Sequence, residues 1–227
     1  MDLRYTIVRS SKRRKLTISV ERDRSVVVHA PEATSEEKIR QVVESKRQWL
    51  FEKIHHDQKY AEPLHPPGKE LVNGESALYL GRNYRIAITD TKSGQIEFSR
   101  QFLVPPVIAK QGTKAMAAWF RERAISKILP RVSHYAQQLG VEYGSADITD
   151  SKYRWGSCSA NNNLSFNWRL VKAPMSVIDY VVIHELAHLI EPNHTPRFWN
   201  IVRAQYPSTE RAKAWLRENG ALLEQNL

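Results

Sequence analysis

The stretch HELAHLIEPNH, from His184 to His194, holds three histidines and a glutamate at a spacing that chemistry can use. His184 and His188 stand four apart, so on a helix both imidazoles leave one face about one turn apart, as two ligands of a single tetrahedral ion must. Glu185, beside the first, is placed to hold a water on that ion rather than to bind it; this is the HExxH arrangement. Pro192 cannot continue a helix, so the chain turns there and can bring His194 back as a third ligand. Three neutral imidazoles leave a fourth position open, which marks a catalytic rather than a closed site. Zinc there would polarise a carbonyl or phosphoryl oxygen and acidify a bound water, whose proton Glu185 would take and pass to the leaving group. Zinc is the default because no redox chemistry is needed; three imidazoles also suit other first-row divalent ions.

A helix must present these groups. Val177 to Ile190 is apolar on nearly every side except for the histidines and Glu185, the pattern of a buried helix whose titratable groups need partners. Ser176 with Asp179 three residues on reads as its capping box, and Thr195 with Pro196 as the N-cap and first residue of the next helix, PRFWNIVRAQ. Upstream, two strand-like runs flank an Asn-rich turn at Asn161 to Asn163, so two or three antiparallel strands should precede the histidine helix. A long helical pattern runs from Thr113 to a terminating Gly140, with Pro130 expected to kink or split it, and Ser208 reads as the cap of the last helix.

The first half reads differently. RYTIVRS, KLTISVE and SVVVHAP are short, β-branched and partly alternating, hence strands, with RDRS as the turn between the second and third. Thr34, with Glu37 three residues on, should open one helix carrying Ile39, Val42, Val43, Leu50 and Ile54 at helical spacing. EPLHPPGKE, Glu62 to Glu70, is a connector; ALYLGRNYRIAITD reads as a hairpin turning at Gly81 to Asn83, and GQIEFSRQFLVPP as further strand. The fold class expected is α+β: a β-rich region with one helix over residues 1–112, then a metal-dependent catalytic domain over 113–227.

At 227 residues the chain can bury a core without staples, so a bound metal is more natural in catalysis than in structure. The net charge of +10 predicts attraction to polyanions such as nucleic acid, anionic membrane or nucleotide phosphates without choosing among them. The basic run SSKRRK, Ser10 to Lys15, reads as a solvated strand or turn. Cys158 is the only cysteine, so no intramolecular disulfide is possible and a reducing, cytoplasmic compartment is expected. Neither a signal peptide nor a bilayer-spanning run is visible. Cys158 itself reads as structural, and His29, His55, His56, His65 and His134 lack ligand spacing.

YRWGSCS (Tyr153 to Ser159), LSFNWRLVKAP (Leu164 to Pro174), VIDYVVIHELAHL (Val177 to Leu189) and NHTPRFW (Asn193 to Trp199) together resemble the YgjP-like metallopeptidases, relatives of the WLM and SprT-like zincins. KRRKLTISV, SVVVHAP and YLGRNYRI resemble that family's N-terminal half. The resemblance implies a zincin-like catalytic domain, with zinc on His184, His188 and His194 and Glu185 as general base. Metzincins share the three-histidine spacing but carry glycine midway between the second and third ligands; here Glu191 stands there, followed by Pro192. In zincins a strand beside the active-site helix can pair with an extended peptide, and the segment Arg154 to Trp168 is the candidate. Arg154, Trp155 and Asn167, in the family blocks outside the helix, are named as substrate-binding neighbours. The core-packing reading of Trp155, Trp168 and Trp199 stands beside that one.

The function expected is a zinc metallopeptidase. The alternative is a metal-dependent nucleotide pyrophosphatase of the UTP type, a label some YgjP-like proteins carry, with Arg154, Arg169, Arg197 or Lys172 balancing phosphate charge. No glycine-rich phosphate loop or carboxylate cluster for magnesium supports it. A third reading is a non-enzymatic basic module that associates with nucleic acid. The donor for a developing oxyanion is open among Arg154, Tyr153, Arg197 and Tyr206.

Overall fold

The computed structural model describes residues 4–11, 13–20, 25–54, 70–151 and 154–225. Packing divides the chain into two compact units, residues 1–62 and 63–227. The connector expected at Glu62 to Glu70 and the turn expected at Arg22 to Ser25 fall largely outside the described residues.

In the first unit, β1 (Tyr5–Ser10), β2 (Thr17–Val20) and β3 (Val26–Pro31) form a sheet in the order β1-β3-β2. β2 is antiparallel to β3, whereas β1 runs parallel to it. Val26, Val28 and Ala30 are buried at period two, giving β3 one core face. Against it come α1 (Glu36–Ser45) and α2 (Arg47–Ile54), which bury Ile39, Val43 and Leu50. One helix was expected here; the chain breaks it at Lys46, whose φ of −106° and ψ of 9° are not helical. The cap is Ser35 rather than Thr34, because the Thr34 N–H closes a turn on the Pro31 carbonyl and the Ser35 hydroxyl is the one that reaches the Lys38 N–H.

The second unit opens with β4 (Ser76–Tyr79) and β5 (Arg82–Ile88), followed by β6 (Glu97–Phe98) and β7 (Phe102–Val104), in the sheet order β4-β5-β7-β6. The hairpin turn is two residues, Leu80 and Gly81, both at positive φ, so it is tighter than the expected turn at Gly81 to Asn83. After α3 (Pro106–Ala109), α4 (Thr113–Leu139) runs through Pro130 as one helix and ends on Gly140 in the left-handed conformation. The buried face of α4, including Met116, Phe120, Ala124, Ile128 and Val132, shares one core with β4 to β7 and with everything that follows. The strands placed with the N-terminal half in the sequence therefore pack with the catalytic half, and the division falls near residue 62 rather than 112.

Three short strands, β8 (Ala146–Thr149), β9 (Gly156–Cys158) and β10 (Leu164–Asn167), form the sheet β8-β10-β9. The β9/β10 pair is antiparallel as expected, turning through Asn162 at φ 58°, but β8 lies parallel to β10. A 3-10 turn over Trp168–Lys172 leads to α5 (Met175–Ala187), then α6 (Pro196–Gln205) and α7 (Thr209–Leu223). The architecture is α+β, as the sequence indicates. Among the described residues no helix is long and apolar enough to cross a membrane.

Helix α5 carries the histidines, and its start is fixed from outside. Pro174 is its N-cap without a side-chain bond, so Ser176 sits two positions too deep to cap and the expected capping box is not formed. Asp179 instead pairs with Arg131 of α4 at 2.7 Å. The hairpin tip closes on the turn before α5: Leu80 N–H donates to the Val171 carbonyl at 3.1 Å and Gly81 N–H to the Lys172 carbonyl at 2.7 Å. A Cβ on Gly81 would lie 2.6 Å from Pro174 Cγ, so only glycine allows this approach.

Candidate metal centre

α5 is buried on nearly all sides, as its composition indicates: Val177, Ile178, Val181, Val182, Ile183, Leu186 and Ala187 are all in the core. His184 and His188 leave it toward α6. The chain turns at Glu191 to Asn193, and Thr195 accepts from the Phe198 N–H at 3.3 Å to start α6 with Pro196. That turn returns His194 to the other two. The three imidazoles offer ligand atoms all within 4.8 Å of one another, and His184 and His194 meet Nε2 to Nε2 at 3.1 Å.

These groups suit a divalent ion. A tetrahedral ion with nitrogen ligands at about 2.0–2.1 Å needs its ligand atoms roughly 3.3 Å apart, close to the His184–His194 separation. His188 Nδ1 lies 3.4 Å from the Glu191 carbonyl; a carbonyl only accepts, so Nδ1 carries the proton and Nε2 keeps its lone pair. Burial, reinforced by the neighbouring imidazoles and Lys213, pushes His184 down to about 3, and burial also lowers His188, so both are neutral in the form that binds metal.

Aromatic rings set the floor under the imidazoles. Phe198, fully buried, stacks on His188 with centroids 4.5 Å apart and meets His184 and His194 edge to face at 4.9 and 4.8 Å. Trp199 stacks on His194 at 5.6 Å and is itself covered by Lys213 Nζ, 4.5 Å from its centroid. The sequence flagged Trp199 only as packing and missed Phe198; their position one turn past the third histidine was the available signal.

Glu185, 7% exposed, faces β9, and its carboxylate accepts the Cys158 N–H. Burial raises its pKa to about 7, opposed by the Arg154 guanidinium and the Cys158 N–H. Cys158 is a free, half-buried thiol that burial and the Glu185 charge hold protonated. Asn167 does not face the site: it is 1% exposed, its Nδ2 donates to the Ser151 carbonyl at 2.7 Å and the Arg154 carbonyl at 3.4 Å, and its Oδ1 caps Arg169 N–H. It fastens the loop that carries Arg154. Trp155 packs against the core and near Gly220 of α7. Arg154 itself is exposed and acts on Glu185 through space.

Of the residues weighed as phosphate clamps, Lys172 is fully buried, with Nζ donating to the Gln225 carbonyl, and Arg169 pairs with Asp150 and Glu224. Tyr153 lies outside the described residues, and the Tyr206 hydroxyl is bonded to Ser176.

Residues 14–219 match the family model described as YgjP-like, metallopeptidase domain. The chain belongs to the YgjP-like metallopeptidase family. As a YgjP-like metallopeptidase it is a metal-dependent hydrolase, and membership implies a divalent ion and a peptide or protein substrate. Among solved structures it is similar to the metallopeptidase zymogen of Pyrococcus abyssi abylysin, at 24% identity over 44% of this chain and 98% of that one, with a TM-score of 0.38. The zymogen of Methanocaldococcus jannaschii jannalysin matches at 24% identity over 42% and 96%, with a TM-score of 0.37. No curated protein matches the chain.

Proposed function

We propose that this YgjP-like protein is a zinc peptidase in which His184, His188 and His194 hold the ion and Glu185 is the general base. The observation that carries the reading is the pairing of three clustered imidazoles with an adjacent buried carboxylate that is not one of the clustered ligand groups. Zinc, when bound, would supply Lewis acidity to the substrate carbonyl and acidify the attacking water. Glu185, with a pKa of about 7, is matched to accept a proton at neutral pH and return it to the leaving amine. Arg154, whose backbone carbonyl is held by Asn167, acts electrostatically on that carboxylate and is the cation we assign to a developing negative charge. β9 lies at the edge of its sheet, where an extended peptide can add as a further strand beside α5.

The zinc-loaded protein is expected to cleave fluorescently labelled casein. Release of pyrophosphate from nucleoside triphosphates without cleavage of casein would replace this reading with the nucleotide one.

A further inference from the structure

Glycine inside a strand weakens it, because it adds backbone entropy and no side chain to pack. Gly156 nonetheless opens β9, opposite Phe166 of β10. Its backbone is outside the left-handed region, so an alanine would fit the conformation. Taken alone, that substitution should stabilise the strand.

Space forbids it. A Cβ on Gly156 would lie 2.6 Å from Cγ, 2.7 Å from Oε1 and 2.9 Å from Cδ of Glu185. Those three nearest atoms all belong to one side chain, and that side chain is buried and tied to the same strand by the Cys158 N–H. It cannot swing aside into solvent. For comparison, a Cβ on Gly220 would meet Trp155 at 3.7 Å, an ordinary contact.

We propose that Gly156 is a positioning residue: the side chain it lacks is the slot in β9 that seats the Glu185 carboxyl. The strand would then fix the carboxylate from two sides, through the bare Cα of Gly156 and the N–H of Cys158. The catalytic consequence rests on the peptidase reading above; the seating does not.

Four zinc-free proteins test the seating by thermal unfolding: wild type, Gly156→Ala, Glu185→Ala and the double variant. With Glu185 present, Gly156→Ala is expected to lower the midpoint by roughly 4 °C or more. With alanine at 185, the same change should leave the midpoint in place or raise it. Equal lowering in both backgrounds overturns the proposal, as does a double variant that fails to fold. A single variant that fails to fold while the double folds supports it. On casein, zinc-loaded Gly156→Ala should keep its zinc and its KM and lose about a hundredfold in kcat, the effect of a carboxylate displaced by about an ångström. A wild-type kcat in that variant overturns the proposal. If wild type itself leaves casein intact, the peptidase reading falls and the thermal comparison still decides the seating.

Discussion

Glu185→Gln will bind one zinc per chain and hydrolyse casein about a thousandfold more slowly than wild type. Glutamine fills the same volume against Gly156, and its carbonyl oxygen can still accept the Cys158 N–H, so the slot keeps its shape. The imidazoles keep their geometry, because none of the contacts that fix them involves Glu185: His188 is held by the Glu191 carbonyl and all three pack on Phe198. What is lost is the capacity to take a proton at an oxygen with a pKa of about 7. His188→Ala, by contrast, should lose both zinc and hydrolysis, since two imidazoles fall one short of the three protein ligands a catalytic zinc site uses. Metal content by elemental analysis, read beside the hydrolysis rate, separates the two variants. Full turnover by the glutamine variant would remove Glu185 from the mechanism.

Between pH 7 and pH 4.5 the zinc-free Glu185→Gln protein will lose more stability on acidification than zinc-free wild type. His184 is near 3 when folded against 6.5 ordinarily, so below 6.5 the unfolded chain takes up a proton that the folded chain refuses. Stability therefore falls as pH drops through that window, by about 1.4 kcal/mol per pH unit, and His188, shifted the same way, adds to the loss. Glu185 works in the opposite direction. Its folded pKa of about 7 exceeds the ordinary 4.5, so between those values the folded chain holds the proton, and stability rises as pH falls. From 6.5 to 4.5 the His184 and Glu185 slopes oppose each other in wild type; glutamine removes one of them. Above pH 7 the glutamine chain is the more stable, because wild type must bury a charged carboxylate that glutamine does not have, a difference on the order of 3 kcal/mol that closes as the pH falls from 7 to 4.5. Denaturant titrations of the two chelated proteins at acid and alkaline pH read the gap and its closure. Parallel stability curves would mean that Glu185 ionises as it does in water.

The histidine helix and the start of the helix after it were legible because their signals are local. Four-residue spacing puts His184 and His188 on one face, all-round apolarity marks a buried helix, and Thr195 with Pro196 starts α6 as read. What was not legible depends on contacts distant in sequence. The parallel pairing of β8 with β10, and of β1 with β3, has no turn chemistry to announce it. Ser176 and Asp179 have the spacing of a capping box, but Pro174 caps the helix two residues earlier and Arg131, far back on α4, takes the aspartate. Asn167 lies in a family block and reads as a substrate contact; only the fold reveals that its amide is bonded to the loop behind Arg154. Phe198 has the composition of any core residue and becomes informative once three rings are seen on it.

The two units of the chain each have a separate buried core, and they are unequal in size. A unit of about sixty residues buries proportionally less of its surface and is the more marginal of the two. The chain also distributes its fluorophores unevenly: of six tryptophans, Trp49 alone lies in the first unit, while Trp119, Trp155, Trp168, Trp199 and Trp215 lie in the second. Indole emission thus reports almost entirely on the unit with the histidines, whereas far-ultraviolet circular dichroism averages over both. When the small unit melts first, the two optical signals trace different curves, and the emission curve is the one that speaks for the catalytic half.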